Sequence, residues 1–348
     1  MESLLAHGAD VIFGNPGTTE SPLLDSLLEY TSIRYIVALH EGVALGAASF
    51  YAQATGRTAI VNLHVAPGLG NAIGMIYGAL KANSPMIVTA GQQDTRLRLR
   101  EPLLGHDLVA MAKPVTKWSV QVERADEMAP IFRRAFKIAH DPPAGPVFVA
   151  LPIDVMEQET DIMAVAPGQM FTAARPEPAG VRALAERLLA AKRPLFVAGD
   201  DIARGGAIRP FLALADAVGA SIWVETLRGQ LSVPTQHPNL RGSVPSDAGS
   251  MRKAFADHDF VLLIGGPFFE EIWFAPGSPF PEDAVVAQIE ANHRQLAFNF
   301  PLALGMVGDL GQSLDATLTA VRAGLSHEQE IQAQARNLAL RAEKDADR

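Results

Sequence analysis

Three short stretches of this chain put chemically able side chains at the point where a strand gives way to a helix. In ALHEGVALGAASFYAQATG, residues 38–56, Glu41 follows an apolar run and opens an Ala/Gly-rich one. In NLHVAPGLGNAIG, residues 62–74, His64 follows another apolar run and precedes a turn rich in glycine. In GNPGTTESP, residues 14–22, Asn15-Pro16-Gly17 forces a turn, and Thr18 or Thr19 stands where a helix cap belongs. A carboxyl, an imidazole and a hydroxyl are ordinary equipment for moving protons. Each also has a plain structural reading. Glu41 suits the first turn of a helix, where the dipole favours an acid. His64 suits a structural position, and a threonine suits a cap. Burial would raise the Glu41 pKa and a helix N-terminus would lower it, so its protonation state stays open at this level. Gly68, Gly70 and Gly74 read G-x-G-x-x-x-G, one residue longer than the dinucleotide fingerprint, and no acid ends a following strand to hold a ribose. Close packing of helix on strand explains them as well.

These residues need elements to hold them. Short β-branched or apolar runs predict strands at Val11–Phe13, Tyr35–Ala38, Ala59–Leu63, Met86–Ala90 and Val147–Leu151. Between them, Ser21–Tyr30, Glu41–Thr55, Gly68–Ala82 and Ala125–His140 read as helices, with Gly56 placed as a C-cap. Strands apolar on both faces and separated by helices imply a parallel sheet, whose ligands bind at the carboxyl ends of the strands. Residues 152–178 carry four prolines and no period, which predicts a linker. A second alternation follows, with strands at Pro194–Ala198, Ile222–Val224, Val261–Ile264 and Val285–Ile289. Its helices fall near Val181–Ala191, Ile208–Val218 and Leu314–Arg322. The fold class is α/β, as two doubly wound parallel-sheet domains, 1–151 and 179–325. The polar stretch 326–348 reads as an exposed helix or a linker to something further.

Composition narrows the chemistry. The 348 residues carry a formal charge of −9, which disfavours nucleic acid, and no cysteine, which excludes disulfides, thiolate metal sites and a thiol nucleophile. No basic leader or long apolar segment appears, so a soluble, cytoplasmic protein without a membrane partner is expected.

The segments FGNPGTTESPLL, ALHEGVALGAA, NLHVAPGLGNAIG and SPMIVTAGQQ, in this order, resemble the thiamine-diphosphate-dependent 2-oxoacid enzymes over residues 5–325. The match is to that family's pyrimidine-binding domain and its Rossmann-like central domain, and it looks most like the benzoylformate decarboxylase branch. The resemblance implies that Glu41 bonds the ring nitrogen of the cofactor's aminopyrimidine and relays the proton that activates the thiazolium carbon. An apolar surround keeping the Glu41 pKa high would suit that role. It implies further that His64 handles protons on substrate-derived groups and that Thr18 meets the substrate carboxylate. Pro16, Gly68 and Asn71 match positions near the pyrimidine.

The implied reaction is nonoxidative decarboxylation of a small 2-oxo acid to an aldehyde by a homodimer or homotetramer. An acetohydroxyacid synthase type of carboligation is the alternative, and a noncatalytic nucleotide-binding or oligomerisation module is a third. Two departures stand out. The family's second active-site histidine aligns with Ile272, beside Glu270 and Glu271, which read as surface acids. The family's Mg²⁺ and diphosphate bind a C-terminal domain with a Gly-Asp-Gly motif, whereas Gly199-Asp200 and Gly308-Asp309 here lack the second glycine. No metal ligand is assigned within this chain. On its own the chain is expected to bind the coenzyme weakly, with Glu41 exposed at the mouth of a half-formed cleft.

Overall fold

A computed structural model describes residues 1–227, 229–269 and 272–346. Glu270 and Glu271 therefore lie outside the described residues. The chain forms two compact units, Met1–Met170 and Phe171–Arg348, which divide within the proline-rich stretch. The start of that stretch is more regular than its sequence suggests: residues 153–156 form a helical turn, Ile153–Met156. There Asp154 accepts from the Thr95 amide at 3.0 Å and from its hydroxyl at 2.5 Å.

The first unit is built on β1 Val11–Asn15, β2 Arg34–Val37, β3 Ala59–Leu63, β4 Met86–Gln92, β5 Ser119–Gln121 and β6 Pro146–Pro152. All neighbours pair in parallel, in the order β2-β1-β3-β4-β6-β5. Successive side chains of a strand face opposite ways, and the two cores divide accordingly. Phe13, Val61, Leu63, Val88 and Phe148 pack under helices Glu41–Thr55 and Val65–Lys81. Ile12, Ile60, Ile87, Val147 and Val149 pack on the other face against Phe132 and Phe136 of helix Met128–His140. Gly56 ends the first of these helices in the left-handed conformation, as its place in the sequence predicts. The order of strands reverses between β1 and β3. Such a switch point leaves a crevice beyond the strand ends.

The second unit contains β7 Pro194–Ala198, β8 Ser221–Val224, β9 Leu240–Ser243, β10 Phe260–Ile264, β11 Val285–Glu290 and β12 Leu304–Val307. These run parallel in the order β9-β8-β7-β10-β11-β12, the doubly wound arrangement with its reversal between β7 and β10. One face is covered by helices Pro178–Ala190, Ile208–Val218 and Leu310–Gly324. The other is covered by helix Ala248–Phe255 and a cluster of Phe255, Phe268, Phe269, Phe280 and Phe300.

The polar C-terminal stretch is a helix, His327–Ala346, and it is docked rather than loose. Its Arg336 donates to the Val218 carbonyl and Asn337 to that of Asp216, both at 2.8 Å, while Arg241 donates back to the Leu340 carbonyl at 2.7 Å. Gly219 allows the approach. Its φ is +60°, and a Cβ there would lie 2.6 Å from the Ala333 carbonyl oxygen. Docking by side chains on carbonyls leaves no apolar stripe to read, which is why the sequence suggests exposure.

Candidate functional site

The ends of β1, β2 and β3 converge at the first unit's switch point. Asn15 closes β1 opposite Leu63, the last residue of β3, and His64 follows immediately. Glu41 begins the helix after β2, behind His40, whose Nδ1 accepts the Gly42 amide at 3.0 Å as the N-cap.

Glu41 is not exposed, contrary to the sequence expectation: only 6% of it is accessible. Asn15 Nδ2 donates to its Oε1 at 3.1 Å, and Asn71 Nδ2 to its Oε2 at 3.0 Å. Gly68 lies alongside, where a Cβ would sit 3.5 Å from Oε1. Burial pushes the carboxyl pKa up. The helix N-terminal amide, the two asparagines and the neighbouring His40 outweigh it, so the net shift is downward. This corrects the expectation of a raised value. The surround is apolar in sequence, but donors reach both oxygens.

His64 belongs to a second cluster, with a residue that sequence reasoning passed over. Its Nδ1 lies 2.8 Å from Oε2 of Glu20, a residue only 1% exposed. Glu20 also accepts from the Gly17 amide at 2.8 Å and from the Thr19 hydroxyl at 2.7 Å. With a carboxylate on Nδ1, that nitrogen is the donor and Nε2 is the ring nitrogen left outside the pair. Gly91, near the end of β4, makes room for the pair, because a Cβ there would fall 1.9 Å from Glu20 Oε1 and 2.5 Å from Thr19 Oγ1. Val65, fully buried directly after His64, has a φ of +41°. For a β-branched residue this is a strained backbone, worth about 1–3 kcal/mol, and such strain concentrates at functional sites.

The structure thus brings together Glu41 with Asn71 and Gly68, and His64 with Thr19 and Glu20. Neither threonine hydroxyl caps the turn; the Glu20 carboxylate does, on the Gly17 amide. Thr18 is exposed on the rim, and it is Thr19 Oγ1 that reaches His64 Nδ1, at 3.3 Å. Pro16 is half-buried in the turn between Asn15 and Gly17. In the second unit, Ile272 lies on an exposed loop with its amide on the Ser246 carbonyl.

Among the described residues, no three His, Asp or Glu side chains are placed to hold a metal ion, and no helix is long and apolar enough to cross a membrane.

Residues 1–111 match the family model for the thiamine pyrophosphate enzyme N-terminal TPP binding domain, and residues 181–317 that for the central domain of the same enzymes. The chain is 34% identical to benzoylformate decarboxylase of Pseudomonas aeruginosa, over 92% of this chain and 61% of that protein. It is 28% identical to a probable acetolactate synthase large subunit of Methanocaldococcus jannaschii, over 92% of this chain and 55% of that one. Among solved structures, it superposes with a TM-score of 0.84 and 34% identity on a putative thiamin diphosphate-dependent enzyme from Mycobacterium smegmatis, covering 91% of this chain and 61% of that one. With the 4-hydroxybenzoylformate decarboxylase of Rhodococcus jostii RHA1 the TM-score is 0.83 at 31% identity, covering 92% and 61%. The chain spans about three fifths of the length of these relatives. It belongs to the thiamine pyrophosphate enzyme family, of which it holds the N-terminal and central domains.

Proposed function

We propose that this chain is the pyrimidine-binding and central part of a thiamine-diphosphate-dependent enzyme that decarboxylates a 2-oxo acid to an aldehyde. The observation that carries the reading is the His64–Glu20 pair standing beside buried Glu41 at one switch point. The donor set fits the ring half of the cofactor. Glu41 offers a carboxyl oxygen, Gly68 leaves space against the first turn of its helix, and Pro16 and Asn71 flank the crevice. No cluster among the described residues is placed to hold Mg²⁺, and the diphosphate with its ion would be held by the C-terminal domain that the family resemblance implies. When bound, the cofactor supplies a carbon nucleophile that takes up the substrate's carbonyl carbon and the electrons left by carbon dioxide.

Glu41 would take and return the proton exchanged with the ring. Glu20 orients the His64 imidazole and leaves Nε2 free to take or return a proton at the substrate's oxygen or carbon. Thr18 offers a hydroxyl at the rim for the substrate carboxylate. Benzoylformate decarboxylase from Pseudomonas aeruginosa is the relative that supports this reaction, and the acetolactate synthases are those that support carboligation.

The full-length protein, given thiamine diphosphate, Mg²⁺ and benzoylformate, is expected to release benzaldehyde and carbon dioxide. Formation of acetolactate from pyruvate, with no aldehyde from any aromatic 2-oxo acid, would replace this reading with the synthase one.

A further inference from the structure

We infer that Asn15 and Asn71 are positioning residues that clamp the Glu41 carboxyl, one amide on each oxygen, and hold it as the anion. The inference rests on the assignment of Glu41 to the cofactor's ring. An ionised carboxyl group only accepts hydrogen bonds, so each amide must turn its nitrogen toward it, and both oxygens are engaged, at 3.1 and 3.0 Å. The two jaws differ in freedom. Asn15 is the last residue of β1, locked in register with Leu63 of β3, and half-buried. Asn71 projects from the second turn of helix Val65–Lys81 and is exposed, so rotation of its side chain frees Oε2 without moving backbone.

The charged group that acts on Glu41 is His40, directly before it, and the His64–Glu20 pair lies on the other side of Gly68. Gripped by two donors and a helix N-terminus, Glu41 holds its proton less well than an ordinary glutamate. A relay needs the opposite, a carboxyl that carries the proton part of the time. Loss of the hydrogen bond that Asn71 donates to Oε2 removes one of the donors that favour the anion and so raises the proton affinity of the carboxyl, with the Asn15 bond to Oε1 still in place. Asn71 and Asn15 are then positioning residues that set when Glu41 is charged.

The test reads the carboxyl itself. In this chain labelled with ¹³C at glutamate carboxyls, the resonance missing in Glu41→Gln identifies Glu41, and its titration gives the midpoint. Asn71→Ala should raise that midpoint by about one to two pH units, the worth of one charge-assisted hydrogen bond. Asn15→Ala should raise it by a similar amount. Alanine favours the helix at position 71, so Asn71→Ala decides the matter alone if Asn15→Ala does not fold. A midpoint unmoved in Asn71→Ala overturns the clamp and leaves the cofactor assignment standing. That assignment falls separately, if Glu41→Gln in the full-length protein exchanges the thiazolium proton at the wild-type rate.

Discussion

Glu290 offers a measurement that depends on neither the cofactor nor the reaction. It ends β11 with no accessible surface. Its Oε1 accepts from the Gly266 amide at 3.1 Å and from Gln288 at 2.7 Å, while Oε2 has no partner among the described residues. Burial, reinforced by the nearby Asp201, pushes its pKa up to about 7 from the ordinary 4.5. A rise of about 2.5 pH units corresponds to about 3 kcal/mol. The sign follows from where the proton sits. Between pH 4.5 and 7 the folded state keeps a proton that the unfolded state has lost, so stability falls as pH rises through that window. Above it the full cost of an ionised buried carboxylate is present. Glu290→Gln keeps the shape and removes the charge. It should match the wild type near pH 4.5 and exceed it by about 2–3 kcal/mol at pH 8. For a unit of this size that moves the melting temperature by roughly 4–12 °C. Thermal melts at pH 5, 6, 7 and 8, with hydrogen exchange of the β11 amides assigning the transition to the second unit, provide the assay. Parallel pH profiles for variant and wild type would show that Glu290 is not what makes this unit sensitive to alkali.

The other expectations concern the two clusters and the docked helix. His64→Ala in the full-length enzyme should lower kcat by roughly 10²–10⁴-fold; Glu20→Gln should do so to a lesser degree, and a carbon dioxide release assay that finds Glu20→Gln unaffected removes Glu20 from the positioning role. Thr18→Ala should raise KM while leaving kcat in place, the signature of lost uniform binding; a fall in kcat alone would contradict it. Gly91→Ala forces a methyl into the Glu20 carboxylate, which three donors hold in place. It should therefore cost about 1–3 kcal/mol in urea unfolding and mimic Glu20→Gln in activity. Gly219→Ala combines a left-handed φ with a clash on the Ala333 carbonyl. Limited proteolysis should then cut within 327–346 faster than in wild type, and equal rates would mean the helix does not depend on that approach.

Where side-chain period and punctuation agreed, the sequence was legible to the residue. Helix Glu41–Thr55 with Gly56, β3 Ala59–Leu63, β7 Pro194–Ala198 and helix Ile208–Val218 have the bounds that their apolar runs and caps predict. The strands that escaped notice are Ser119–Gln121, Leu240–Ser243 and Leu304–Val307. All three lie at the edges of their sheets, are largely half-buried, and show no continuous apolar run. Glu20 escaped for a different reason. In TTES it looks like one more polar residue of a turn, although an acid three residues after the turn's Gly17 is the spacing of a capping carboxylate. That signal was present. What no spacing could reveal is that the same carboxylate, buried by the glycine at 91, would also reach across to β3 and hold His64.

Glu41 and Glu290 show why position in a fold does not fix a charge state. Both stand at the carboxyl ends of parallel strands, one beside the β1/β3 reversal and the other one strand beyond the β7/β10 reversal. Both are nearly or wholly removed from solvent. Desolvation is the largest influence on each and acts in the same direction, toward the neutral acid. The difference lies in the donors. Glu41 opens a helix, so its own amide and two asparagines serve the anion and His40 adds a favourable field. Glu290 closes a strand, has donors among the described residues on one oxygen only, and faces a second acid in Asp201. The Glu41 carboxyl is therefore held toward the anion. The Glu290 carboxyl is pushed toward the neutral acid, and its second oxygen has no partner among the described residues. Counting donors per oxygen, rather than noting burial or motif, separates the carboxyl held as the anion from the one pushed toward the neutral acid.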